Sequence, residues 1–172
     1  MDERQIDKLL CRISTGDNQA FEELYDKTRR GVFSFIYSYL NNYESTEDVM
    51  QTVYLKVKLN IDKYRQGTNG RAWLLEIAKN LALNEIKQRK SAEYKDELIS
   101  GNAVVQAPTG EITDIMRRTL TKEEQRIVIL HVLWGYKHRE IARIMDVPTG
   151  TITSKYKRSI SKMQQALKEV RA

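Results

Sequence analysis

A single cysteine, Cys11, stands in 172 residues. It cannot close an internal disulfide, which suits a reducing cytoplasm, and it reads as a small helix residue. Two prolines and eight glycines leave little to interrupt regular structure. Runs of Leu, Ile, Glu, Lys, Gln and Arg favour helix, and no apolar–polar alternation is sustained enough for strands. No apolar run approaches a membrane span, and the opening MDERQIDKLLCR does not read as a signal peptide. A cytoplasmic chain without membrane insertion is expected. Nucleophile–base pairs, phosphate loops and metal clusters are also missing, so neither catalysis nor a cofactor is expected. His131 lies in the apolar run IVILHVLW and His138 near the next helix start; neither has a partner at a metal-ligand spacing. Both read as structural or phosphate-facing.

What is present is apolar bulk and unevenly placed charge. The apolar fraction, 41%, supports packed cores. Residues 1–90 carry 15 Lys/Arg and 13 Asp/Glu, and residues 91–110 carry 1 and 3. Residues 111–172 carry 13 and 7, a surplus equal to the formal charge of the whole chain, +6. Basic charge gathered in one third of the chain points to a polyanionic partner.

The helical pattern breaks at KSAEYKDELISGNAVVQAPTGE, which holds Gly101, Pro108 and Gly110. An all-α chain of two small helical domains, 1–90 and 111–172, joined by a flexible linker over 91–110, is expected. Four helices are expected in the first domain. They are a short one near Asp2–Ser14, a long one after Gly16, one signalled by Ser45 and Asp48 and running to about Asn60, and one from about Arg71 to Lys90. The long helix carries an inner stripe of Phe21, Leu24, Tyr25, Val32, Phe35, Ile36 and Tyr39. In the second domain EITDIMRRTL opens the fold, and Thr121 with Glu124 forms a capping box for the next helix. Gly135 is placed to end that helix. A short helix over 137–145 and a last helix with Pro148 in its first turn follow.

The stretch GYKHREIARIMDVPTGTITSKYKRSI therefore reads as helix, tight turn and basic helix, the helix-turn-helix pattern. At about 100° per residue, Ile152, Tyr156, Ile160, Met163 and Leu167 share one buried stripe. Ser154, Lys157, Arg158 and Ser161 fall opposite, flanked by Thr153 and Lys155. A small, polar, basic outer face suits a major groove: short side chains let the backbone approach, Arg pairs with guanine and Lys meets phosphate. Thr153, Ser154, Lys155, Lys157 and Arg158 are the candidate DNA-binding residues. A solvated basic face is the plain alternative.

The N-terminal half carries STEDVMQTVYLKVKLNIDKYRQGTNGRAWLLEIAKNLALNEIKQRK. It resembles conserved region two of bacterial RNA polymerase sigma factors, in the small extracytoplasmic-function (ECF) group. The motif E-D-[LVI]-x-Q-[ED]-x-[FY]-L is represented by Glu47, Asp48, Val49, Gln51, Thr52, Tyr54 and Leu55. The motif [RK]-A-W-L-x-x-I-A-[RK]-N is represented by Arg71, Ala72, Trp73, Leu74, Ile77, Ala78, Lys79 and Asn80. LTKEEQRIVILHVLWGYKHREIARIMDVPTGTITSKYKR resembles conserved region four of the same group, in the same order.

The resemblance implies a sigma factor that binds core RNA polymerase and directs promoter-specific initiation. The second domain would read the duplex −35 element and the first would capture the melted −10 strand. Glu47, Asp48, Gln51 and Leu55 would face the clamp helices of the polymerase β′ subunit, with the β subunit a further contact. Thr52 stands where the family usually has an acid, so no charge is offered there. For −10 DNA the implied residues are Tyr64, Asn69, Arg71, Trp73, Asn80, Asn84 and Lys87. Trp73, Asn80, Asn84 and Lys87 fall within about 60° on a helix and suit stacking, base-edge and phosphate contacts. Trp73 suits a core equally well. YRQGTNG is polar and flexible enough to shape a pocket for a flipped base. The family also implies a monomer when free, and often an anti-sigma factor. A helix-turn-helix regulator whose N-terminal half dimerises or senses a ligand is the rival. It would require a twofold-symmetric operator.

Overall fold

The computed structural model describes residues 3–93 and 111–171. Every regular element among them is helical, and they fall in two compact units, one on each side of residues 94–110. The first unit holds α1 (Glu3–Ser14), α2 (Asn18–Leu40), α3 (Tyr43–Leu59), a 3-10 turn (Ile61–Lys63) and α4 (Gly70–Glu93). The second holds α5 (Glu111–Thr119), α6 (Lys122–Val132), α7 (His138–Met145) and α8 (Thr149–Arg171). The expected linker, 91–110, lies outside the described residues except for 91–93, which continue α4.

In the first unit α1, α2 and α3 all pack on α4, and α2 lies between α1 and α3. Its core takes Leu9 and Leu10 from α1, Leu24, Val32, Phe35 and Ile36 from α2, Val53 and Val57 from α3, and Leu74, Ala78 and Ala82 from α4. Phe21, Tyr25 and Tyr39, expected in the inner stripe, are only half-buried. The stripe instead includes buried Thr28, whose hydroxyl donates to the Leu24 carbonyl at 2.6 Å and lies 2.7 Å from the Tyr54 hydroxyl. Burial pushes the Tyr54 phenol well above its usual range, so it stays protonated and can donate to Thr28. A polar pair thus joins α2 to α3 inside an apolar core.

The start of α3 differs from the Ser45 signal. Asn41 takes a left-handed conformation (φ 52) that ends α2, and Asn42 turns extended. The Asn42 side chain then accepts the Ser45 N–H at 2.9 Å, so Asn42 is the cap and Ser45 is buried in the first turn.

In the second unit α5, α6 and α7 each pack on α8. Ile115, Ile127, Leu130, Trp134, Ile141 and Ile152 fill the core. The Thr121–Glu124 capping box forms as expected. Helix α6 ends at Val132, and Gly135 (φ 69) supports the turn beyond it, where Tyr136 N–H reaches the Leu130 carbonyl at 3.0 Å. Left-handed Asp146 closes α7, and Val147 N–H returns to the Ala142 carbonyl at 3.0 Å. That tight turn delivers the chain to α8 just after Pro148.

Candidate nucleic-acid interface

Small Ala142, buried in the α7 face, lets α7 and α8 cross closely. On α8 the outward residues are Ser154, Lys157 and Arg158, all exposed, with Ser161 one turn on. The two flanking residues are engaged. Thr153 is half-buried; its hydroxyl donates to the Thr149 carbonyl at 3.0 Å and lies 3.1 Å from His138 Nδ1. Lys155 is ion-paired with Glu123 of α6, and Lys162 meets Glu124 at 2.8 Å. The inner stripe also differs. Ser159 is fully buried beside Ile152, its hydroxyl donating to the Lys155 carbonyl at 2.8 Å, whereas Tyr156, Ile160, Met163 and Leu167 are half-buried.

Both histidines support α8 from within. The rings of His131 and His138 lie 4.8 Å apart, and Tyr156 packs against them at 4.6 and 5.0 Å. His131 Nδ1 meets the Tyr136 carbonyl at 2.8 Å. Burial first, and then the neighbouring His131 and Lys157, lower the His138 pKa and favour the neutral ring. Sequence reasoning passed over Arg139 and Arg143, which are exposed one turn apart on α7. With Val147, Pro148 and Thr149 they line an open groove at the helix-turn-helix corner. The spacing in HREIARIM was the available signal.

In the first unit Asn80, Asn84 and Lys87 form an exposed stripe on α4, about 10 Å long at ~1.5 Å per residue. Trp73, half-buried on the same face, stands 5.2 Å from the Tyr64 ring. Tyr64 and Arg71 are not surface residues: they are 9% and 5% exposed. Asn69 caps α4, its side-chain oxygen accepting the Ala72 N–H at 3.0 Å. The YRQGTNG loop is bonded to itself, not loose. Thr68 bonds the Arg65 carbonyl through its N–H at 3.2 Å and its hydroxyl at 2.6 Å. Arg65, Gln66, Gly67 and Thr68 remain exposed at its tip.

On α3 the outward face carries Asp48, Gln51 and Leu55, and the structure adds Leu59 to it. The two leucines are 56% and 64% exposed, unusual for large aliphatics on adjacent turns. Glu47 is half-buried and hydrogen-bonded to Tyr43, which raises the Tyr43 phenol. The Thr52 hydroxyl donates to the Asp48 carbonyl at 2.9 Å.

Comparison with known proteins meets this geometry unit by unit. The family described as Sigma-70 region 2 matches residues 24–92, and Sigma-70, region 4 matches residues 116–163, together well over half of the chain. The chain belongs to the ECF sigma factor family. It is 28% identical over 99 residues to the ECF RNA polymerase sigma factor SigW of Bacillus subtilis, covering 58% of this chain and 53% of that one. It is 27% identical over 158 residues to BldN of Streptomyces coelicolor, covering 84% of this chain and 59% of that one. The chain thus spans about half to three-fifths of these two relatives. Among solved structures, the sigma factor RpoE bound to the anti-sigma factor NepR from Bartonella quintana matches with TM-score 0.64 and 22% identity. That match covers 86% of this chain and 96% of the other. CnrH, solved with the cytosolic domain of CnrY, matches with TM-score 0.62 and 16% identity over 96% and 98% of the two chains. These two likenesses bear on the ECF fold. No helix among the described residues is long and apolar enough to cross a membrane.

Proposed function

We propose that this ECF sigma factor binds core RNA polymerase and directs initiation at a promoter with a duplex −35 element and a melted −10 element. The observation that carries the reading is that two DNA-suited faces lie exposed on the two units that match region two and region four. On α8, Ser154 and Arg158 face bases and Lys157 neutralises phosphate. Thr153 holds the helix surface through His138, and Lys155 is shared between Glu123 and DNA. Arg139 and Arg143 add backbone contacts from α7.

On α4, Asn80 and Asn84 supply base-edge contacts, Lys87 meets phosphate and Trp73 supports stacking. Asn69, Arg71 and Tyr64 act from below by holding the loop and the helix start. The α3 face, with Asp48, Gln51, Leu55 and Leu59 and with Glu47 behind, takes the polymerase clamp helices. The β subunit is a second contact, and the free chain is a cytoplasmic monomer that promotes initiation without catalysis of its own. The complex of RpoE, a related fold, with the anti-sigma factor NepR supports a similar partner for this chain.

Replacing Asp48 by Lys and Gln51 by Ala tests the polymerase face. Helix content should stay intact while competition for core polymerase weakens by about tenfold or more, as expected when a charge is reversed in an interface. A double variant that competes as well as the parent places the interface elsewhere.

A further inference from the structure

Helix α1 has no part in the interfaces above, yet it holds the loop that leads into α4. The Tyr64 hydroxyl donates to the Asp7 carboxylate and lies 3.0 Å from the Thr68 carbonyl. One buried hydroxyl therefore links α1 to the far side of the loop. Burial and the bond to Asp7 push the phenol well above its ordinary range, so it remains a donor. The other end of the loop is pinned by the same helix. A Cβ on Gly70 would lie 3.0 Å from Leu10 Cδ1, 3.2 Å from Ile6 Cγ2 and 3.2 Å from the Tyr64 hydroxyl. The chain between these anchors exposes Arg65, Gln66, Gly67 and Thr68, and the Trp73 ring stands 5.2 Å from the Tyr64 ring.

We propose that Asp7 is a positioning residue for −10 recognition: through Tyr64 it fixes the 64–69 loop and Trp73 in the shape that receives the unpaired strand. The proposal rests on the region-two reading of this unit. A preformed loop loses less conformational freedom on binding than a loose one. A shift of about an ångström at the loop tip is enough to blur discrimination between bases. The effect belongs to base preference at the melted element, not to core binding or to the duplex element read by α8.

The test uses holoenzyme assembled with core polymerase and a promoter library randomised across the −10 element, with the −35 element fixed. Tyr64→Phe removes one oxygen and keeps the packing; Asp7→Asn removes the acceptor's charge. Each should lower transcription from the preferred −10 element about five- to tenfold, as expected when part of the energy of a hydrogen bond to a charged group is lost. Each should also flatten preference at one −10 position. The double variant should be no worse than either single, and competition for core and the −35 preference should match the parent. An unchanged −10 profile, a profile lowered by one common factor, or additive losses would overturn the proposal. Asn80→Ala separates the proposal from the reading beneath it. Should Asn80→Ala flatten the −10 profile while Tyr64→Phe does not, only the Asp7 link is wrong; if neither does, the region-two reading falls as well.

Discussion

Arg158 and Lys157 are neighbours on α8, both exposed, and they differ in what each can do at a groove. A guanidinium offers two parallel N–H donors to the edge of a guanine, whereas an ammonium is a point charge suited to phosphate. Arg158→Ala should therefore cost about 1–3 kcal/mol on the matched site and relax preference at one or two upstream positions. Lys157→Ala should weaken all sequences alike and make the salt dependence shallower by about one unit of slope. Transcription by the holoenzyme across −35 variants at two salt concentrations distinguishes them. If Arg158→Ala lowers every variant by a common factor, Arg158 is a phosphate clamp. Exposure at these two positions was legible in the sequence because a helix of known phase needs only its periodicity. Lys155 was not, since its partner Glu123 lies 32 residues away on another helix. The burial of Arg71, which is 5% exposed, was not legible for a related reason: only tertiary packing sets it.

Helix α6 shows which elements local chemistry fixes and where the tertiary structure takes over. Thr121 Oγ1 accepts the Glu124 N–H at 3.3 Å, and the Glu124 carboxylate accepts the Thr121 N–H at 2.9 Å. That reciprocal pair was legible as four consecutive residues, as were the helix starts near residues 70 and 138. What the sequence hid is that Glu124 also takes Lys162 from α8 at 2.8 Å, beside the Lys155–Glu123 pair. Burial alone would raise the Glu124 pKa, but Lys162 and the Thr121 N–H outweigh it and hold the carboxyl below its usual range. A carboxyl lowered on folding stabilises the fold above its unfolded pKa, about 4.3, and loses that contribution as pH falls through the folded value. Glu124→Gln should lower the melting temperature near neutral pH, and the gap to the parent should close as the solution is acidified below about pH 4. Thermal unfolding followed by circular dichroism at several pH values checks this. A gap that is constant with pH would mean that Glu124 acts through packing alone. The Asn42 cap was missed because two adjacent asparagines and a nearby serine all qualify chemically. The left-handed conformation of Asn41 decides among them.

At the scale of the whole chain, the two proposed DNA contacts must be made together, and the segment between them bounds how. With α4 continuing to Glu93 and α5 beginning at Glu111, residues 94–110 join the two units. Whatever path they take, seventeen residues reach at most about 56–61 Å. That is about 16–18 base pairs of duplex at ~3.4 Å each. A segment of that reach permits simultaneous contact but does not set the distance. In the proposed complex the polymerase sets it, by holding one unit on its clamp and the other near the upstream element. Two consequences separate this arrangement from a tethered pair of independent binding modules. Inserting about five base pairs between the −35 and −10 elements turns one to the opposite side of the duplex, about half of a 10–10.5-base-pair turn. Promoter activity should then fall at least about tenfold. Lengthening the protein segment by ten Gly/Ser residues should not restore it, because added reach cannot move a site fixed on the polymerase. Transcription from the paired templates by the parent and the lengthened holoenzyme makes the comparison. Activity that survives the insertion, or that the longer segment rescues, would show that the chain itself spaces the two contacts.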